Sequence, residues 1–124
     1  MIAGRLGVMR QDPGQVGPLI PRPALTIPAL RAAVSAVAPS RLPEMFEKMQ
    51  AAFDDARAED SVVPIHLFYR EWVVVVEIER HPDIAARLHA AERALMSDDQ
   101  QVRDAAIAEV GAIVRAAHQA VAGE

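Results

Sequence analysis

A chain of 124 residues holds one domain with a core of its own and falls short of two domains of ordinary size. Hydrophobic residues make up 52% and charged residues 24%, and no stretch approaches the ~20 uninterrupted apolar residues that cross a bilayer, so we expect a soluble globular protein rather than a membrane protein. Cysteine is absent, which excludes disulfides and thiolate chemistry, and the opening residues hold no apolar run of secretory length, so we expect a cytoplasmic location.

The net charge of −4 is unevenly spread. Residues 1–25 carry Arg5, Arg10 and Arg22 against Asp12, a balance of +2, which leaves 10 basic and 16 acidic side chains, or −6, on residues 26–124. An acidic body repels phosphate backbones and favours basic partners, so we do not expect the folded part to bind nucleic acid.

Residues 1–25 contain eight of the fifteen Gly and Pro residues and no apolar period, so nothing in them offsets the entropy of ordering. We expect a flexible, disordered N-terminal arm, either a leader or a segment that folds on a partner. From Thr26 the pattern turns helical. Ile27, Leu30, Val34 and Val37 recur on one face, with Thr26 as N-cap and Pro28 in the first turn, and this first helix ends near Pro39. The second follows Ser40 as cap, with Leu42, Met45, Phe46, Met49, Phe53 and Ala56 as its core stripe and Glu44 and Lys48 as an i, i+4 pair.

The segment Tyr69-Arg-Glu-Trp-Val-Val-Val-Val-Glu-Ile-Glu-Arg-His81 reads two ways. Its β-propensity is high, and strict alternation would put Trp72, Val74, Val76 and Ile78 on one side of a strand. Against this, no second strand is legible, and the interval between Pro64 and Pro82 is of helix length. We therefore expect a central helix over residues 63–80, with Ile65, Phe68, Tyr69, Trp72, Val75 and Val76 inward and His66, Arg70, Glu77 and His81 opposite. Burial of the apolar face outweighs the few tenths of a kcal/mol that each β-branched residue costs in a helix. Val74 then falls in the polar arc and Glu79 in the apolar one. We read Glu79 as relieved by the nearby helix end, the alternative being an anchor for a partner's arginine.

Next, His81 suits an N-cap and Pro82 a first helical position, with Ile84, Leu88, Ala91 and Leu95 inward and Asp83 within reach of Arg87. The last helix opens on a capping box, Ser97-x-x-Gln100. It carries the stripe Val102, Ala106, Val110, Ile113, Ala117 and Val121 and closes at Gly123. The expected fold is all-α: a single small bundle of about five helices over residues 26–124 behind the arm.

We expect no enzyme. The four histidines, His66, His81, His89 and His118, include no His-x-x-x-His pair, so no metal site and no cofactor is expected, and the pairs His89–Glu92 and Glu77–His81 read as surface decoration. Ser35, Ser40 and Ser97 are accounted for as helix positions or caps, and no glycine loop cradles a phosphate.

Between "TIPALRAAV" and "MFEKMQAAFDDARAEDSVVPIHLFYREWVVVVEIERHPDIAARLHAAE" the chain resembles a family of small actinobacterial proteins known only as a domain of unknown function. The shared pattern is Ile-x-x-Leu-Arg-Ala-Ala, a Phe-rich acidic helix ending near Asp54-x-Ala56-Arg57, and a Trp-bearing helix before an acid-Pro or similar turn, covering residues 26–92. The chain departs from it in having one Trp, at 72, where the family often has two, His81 where Asp is usual, and a longer last helix. Members often sit beside toxins of the RelE and ParE type, so the resemblance implies an antitoxin or accessory role; it brings no site residues with it.

These readings converge on a protein-interaction module, an antitoxin-like protein that covers a basic toxin, with Tyr69, Trp72, Glu77, Glu79 and Arg22 as candidate partner-binding residues. A self-associating scaffold built on the Ala- and Val-lined last helix is the alternative, dimerisation being favoured by the small area that 24 alanines bury. A transcriptional regulator that uses the arm is a third reading.

Overall fold

Pro28, Pro43, Pro64 and Pro82 each stand in the first turn of a helix, where the missing N–H costs nothing. In the computed structural model, which describes residues 17–123, they open four of five α-helices: α1 (Ile27–Val37), α2 (Leu42–Glu59), α3 (Val63–Glu79), α4 (Pro82–Ala94) and α5 (Gln100–Ala122). The fold is a small all-α bundle, and no strand occurs among the described residues.

Each helix end has a local cause. The Thr26 hydroxyl accepts from the Ala29 N–H at 3.1 Å and starts α1. A 3₁₀ turn, Pro39–Arg41, takes up Ser40, so Ser40 does not cap α2 as its sequence position suggested. Asp60 ends α2 in the left-handed region (φ 53°), which Asp tolerates better than most residues, and Ser61 Oγ then accepts from the Val63 N–H at 3.1 Å. The start of α5 differs from the expected capping box: Asp99 is the N-cap, its carboxylate accepting from Gln101 and Val102, while Ser97 Oγ accepts from the Asp99 N–H. A carboxylate there also meets the positive end of the helix dipole, which favours Asp99 over the hydroxyl two residues earlier.

The valine-rich segment is helical and occupies the middle. α3 packs on all four other α-helices, whereas α1 and α2 reach neither α4 nor α5. Two apolar clusters result. Phe68, Trp72 and Val76 meet Leu30, Val34 and Met45 on one side of α3; Val74 and Ile78 meet Ile113 and Ala117 on the other. This double burial corrects the one-sided reading of α3, because Val74 and Glu77 lie in contact with neighbours rather than solvent. β-branched residues are tolerated here for the same reason, since packing on both flanks outweighs propensity.

On α2 the buried residues are Met45 and Ala52, while Phe46 and Phe53 are each 43% exposed. The helix is covered only on the flank facing α1 and α3, so the stripe is narrower than the sequence suggested and excludes both phenylalanines. Charge pairing also differs in detail. Glu44 is held by Arg41 (3.0 and 3.1 Å) rather than Lys48, and Arg87 reaches across to Glu109 of α5 (3.1 Å) rather than along α4 to Asp83.

The expected arm lies outside the described residues over 1–16. Its remainder does not stand free. The Leu19 N–H donates to the Arg80 carbonyl at 2.8 Å, and Arg80 Nη1 donates to the Ile20 carbonyl at 3.1 Å, so residues 19–22 strap the C-terminal end of α3. The strap supplies a partner to a carbonyl that the helix end would otherwise leave unpaired.

Trp72 is fully buried, and the Arg41 guanidinium lies 5.1 Å from its ring centroid. Its indole N–H has no hydrogen-bond partner among the described residues, so the side chain stabilises the fold through packing and ring contacts rather than through hydrogen bonding. Trp72→Ala is expected to cost about 3–5 kcal/mol in urea melts, Trp72→Phe about 1–2, and Phe46→Ala or Phe53→Ala less than about 1.

Candidate functional site

His66, Tyr69, Arg70, Val73 and Glu77 follow i, i+3, i+4, i+7, i+11 and therefore share one face of α3. That face forms one side of a groove of about 940 Å³ whose other walls are Arg22 of the strap, Pro23 and Leu25 just after it, and the last turns of α5, from His118 to Ala122. The groove follows from the topology: the strap and α1 on one flank of α3 and α5 on the other leave a cleft over the helix between them. A second cleft of about 380 Å³, lined by Val74, Ile78, Leu88 and Val114, lies between α3, α4 and α5.

Glu77 sits at the groove with only 6% of its surface exposed. Both of its oxygens are taken. Arg22 donates through Nε to Oε1 (2.8 Å) and through Nη2 to Oε2 (3.1 Å); Arg80 donates through Nε to Oε1 (2.9 Å); and His81 Nε2 lies 3.4 Å from Oε2. Burial by itself pushes the Glu77 carboxyl up, but the hydrogen bonds and charges of Arg22 and Arg80 outweigh it and hold the group down to about 2. The pair Glu77–His81 is thus part of an interior ion cluster rather than surface decoration.

The residues expected to bind a partner are dispersed. Trp72 is sealed in the core and offers no surface, because α1, α2 and the 3₁₀ turn cover it. Glu77 is saturated by the chain's own arginines, and Arg22 is one of them. Glu79 is 8% exposed and bonded to His89 Nε2 at 2.8 Å, so it anchors α4 instead of reaching a partner's arginine, and it replaces the His89–Glu92 pair expected from spacing. Tyr69 remains half-buried, its ring edge-on to Phe68 at 6.1 Å between centroids, and lines the groove. Only Arg22, Tyr69 and Glu77 of the five meet there.

Arg70, His66 and His118 were not singled out as site residues by sequence reasoning, although two of them carry the helical spacing that places them beside Tyr69. His118 comes from α5, 48 residues after Arg70, and no local pattern connects them. No group of side chains suited to holding a metal ion occurs among the described residues, and none of their helices is long and apolar enough to cross a membrane.

No protein-family model, curated protein or solved structure matches this chain.

Glu77 makes stability pH-dependent with a definite sign. Its folded value of about 2 lies below the ordinary 4.5, so the stabilisation is complete above pH 4.5 and is lost as pH falls from 4.5 toward 2. The loss is expected to be on the order of 2–3 kcal/mol, given screening at the partly exposed Arg22. Glu77→Gln is expected to flatten that acid limb and, by leaving Arg80 buried without a counter-charge, to cost about 3 kcal/mol or more at neutral pH. Urea melts from pH 2 to 7 check both.

Proposed function

We propose that this chain is a non-enzymatic protein-interaction module that binds a basic protein through the outer face of α2. One observation carries the reading. Phe46 and Phe53, spaced i, i+7 on one stripe, are each 43% exposed on a helix with five acidic side chains and two basic ones. Arg41 and Arg57 take up Glu44 and Asp54, which leaves Glu47, Asp55 and Glu59 without an ion pair among the described residues. Two exposed aromatics on a helix of net acidic charge suit a partner of opposite charge, the aromatics supplying affinity and the helix's net charge steering. The resemblance of residues 26–92 to proteins encoded beside RelE- and ParE-type toxins makes such a toxin the partner to test, with the chain as its antitoxin or accessory protein.

A second reading has its own observation. Ile107 of α5 is 61% exposed, an apolar side chain that a second copy would cover in a self-associating subunit. Co-expression with the adjacent gene product separates the two. The antitoxin reading expects a co-purifying complex and restored growth, with Phe46→Ala/Phe53→Ala weakening the complex at least about tenfold. No complex and no rescue, together with a stable homo-oligomer in light scattering that Ile107→Glu dissolves, would leave the self-association reading in its place.

A further inference from the structure

We propose that the groove between the strap, α3 and α5 is a binding site for a small organic anion with an apolar body, of the alkyl-carboxylate class. The site is separate from the outer face of α2 and stands or falls independently of the reading above.

Three observations carry it. The first is shape and lining. At about 940 Å³ the groove falls within the range of small-ligand sites, and Leu25, Tyr69, Val73 and Val121 give it apolar walls. Leu25 is 65% exposed, an aliphatic side chain at the mouth that a ligand's hydrocarbon would cover.

The second is charge. Residues 26–124 carry a net −6, yet the ionisable side chains that line the groove are Arg22, Arg70, His66, His118 and the single acid Glu77. Glu77 has both oxygens occupied by Arg22 and Arg80, so it is not available to oppose Arg70. Arg70 has no ion pair among the described residues. A cationic rim on an otherwise acidic body therefore selects an anion, at a groove whose apolar walls can hold its tail.

The third is arrangement. Arg70 projects from the same stripe of α3 as Tyr69 and Val73, and His66 lies one turn away. The guanidinium offers a planar fork to a carboxylate while the side chains beside it contact the hydrocarbon, so head and tail are recognised from one rigid helix.

The test uses the full chain and calorimetric titration with decanoate, its neutral twin decan-1-ol and the cation decylamine. The expected result is one decanoate per chain with Kd below about 100 µM, and decanol and decylamine at least about tenfold weaker. Arg70→Gln is expected to weaken decanoate about tenfold while leaving decanol unchanged, and its urea melt to match that of the parent chain. Leu25→Asp, which sets a carboxylate on an exposed wall position away from the core, is the second variant and is expected to abolish decanoate binding. Equal affinity for decanoate and decanol, retention of decanoate binding in both variants, or no saturation would each overturn the proposal. So would co-sedimentation with phosphatidylglycerol vesicles without binding of free decanoate, since the occupant would then be a lipid surface.

Discussion

Trp72 and Val76 face one apolar cluster and Val74 and Ile78 the other, so no residue from 72 to 79 is exposed. A helix buried all round has to be apolar all round or supply partners for whatever polar groups it carries. Both solutions appear. The four consecutive valines serve the first, and the ion cluster about Glu77 serves the second. Because α1 and α2 pack on one flank and α4 and α5 on another without touching each other, α3 alone joins the halves, and the clefts along it are consequences of that arrangement.

The cluster at Glu77 ties sequence-distant segments together. Arg22 lies 55 residues before Glu77, and Arg80 binds both the carboxylate and the Ile20 carbonyl. One interior carboxylate thus holds the end of α3, the strap over it and the first residue of the turn into α4. The same contacts occupy Glu77, the one acid on the groove wall among the described residues, and leave Arg70 unopposed there. The acidic side chains are concentrated elsewhere, α2 among them, so the two candidate binding surfaces have opposite sign.

Much of the fold was legible in the chain. Thr26 before Ile27, Pro82 after His81 and the 3.6-residue stripes of α1 and α5 act locally, and local causes can be read locally. The helical state of the valine run was legible by a different route, from segment length and the absence of a strand to pair with. What could not be read was the number of neighbours each helix has. The sequence pattern implies one-sided burial for α3, which has two buried flanks, and a broad buried stripe for α2, which is covered on one flank and leaves Phe46 and Phe53 outside. The candidate site was legible in part: Tyr69, Arg22 and Glu77 line one groove, but the bond between Arg22 and Glu77 depends on a strap whose Pro content signals only the lack of regular structure. Arg70 and His118 come together through tertiary packing alone.

The central position of α3 is tested most directly by native-state amide hydrogen exchange. The account predicts that amides of residues 72–79 are the slowest in the chain and open only with global unfolding, at the free energy found by denaturant titration. Exchange of that segment ahead of α1 or α5 would contradict it, because the helix that joins both halves cannot open while they remain folded.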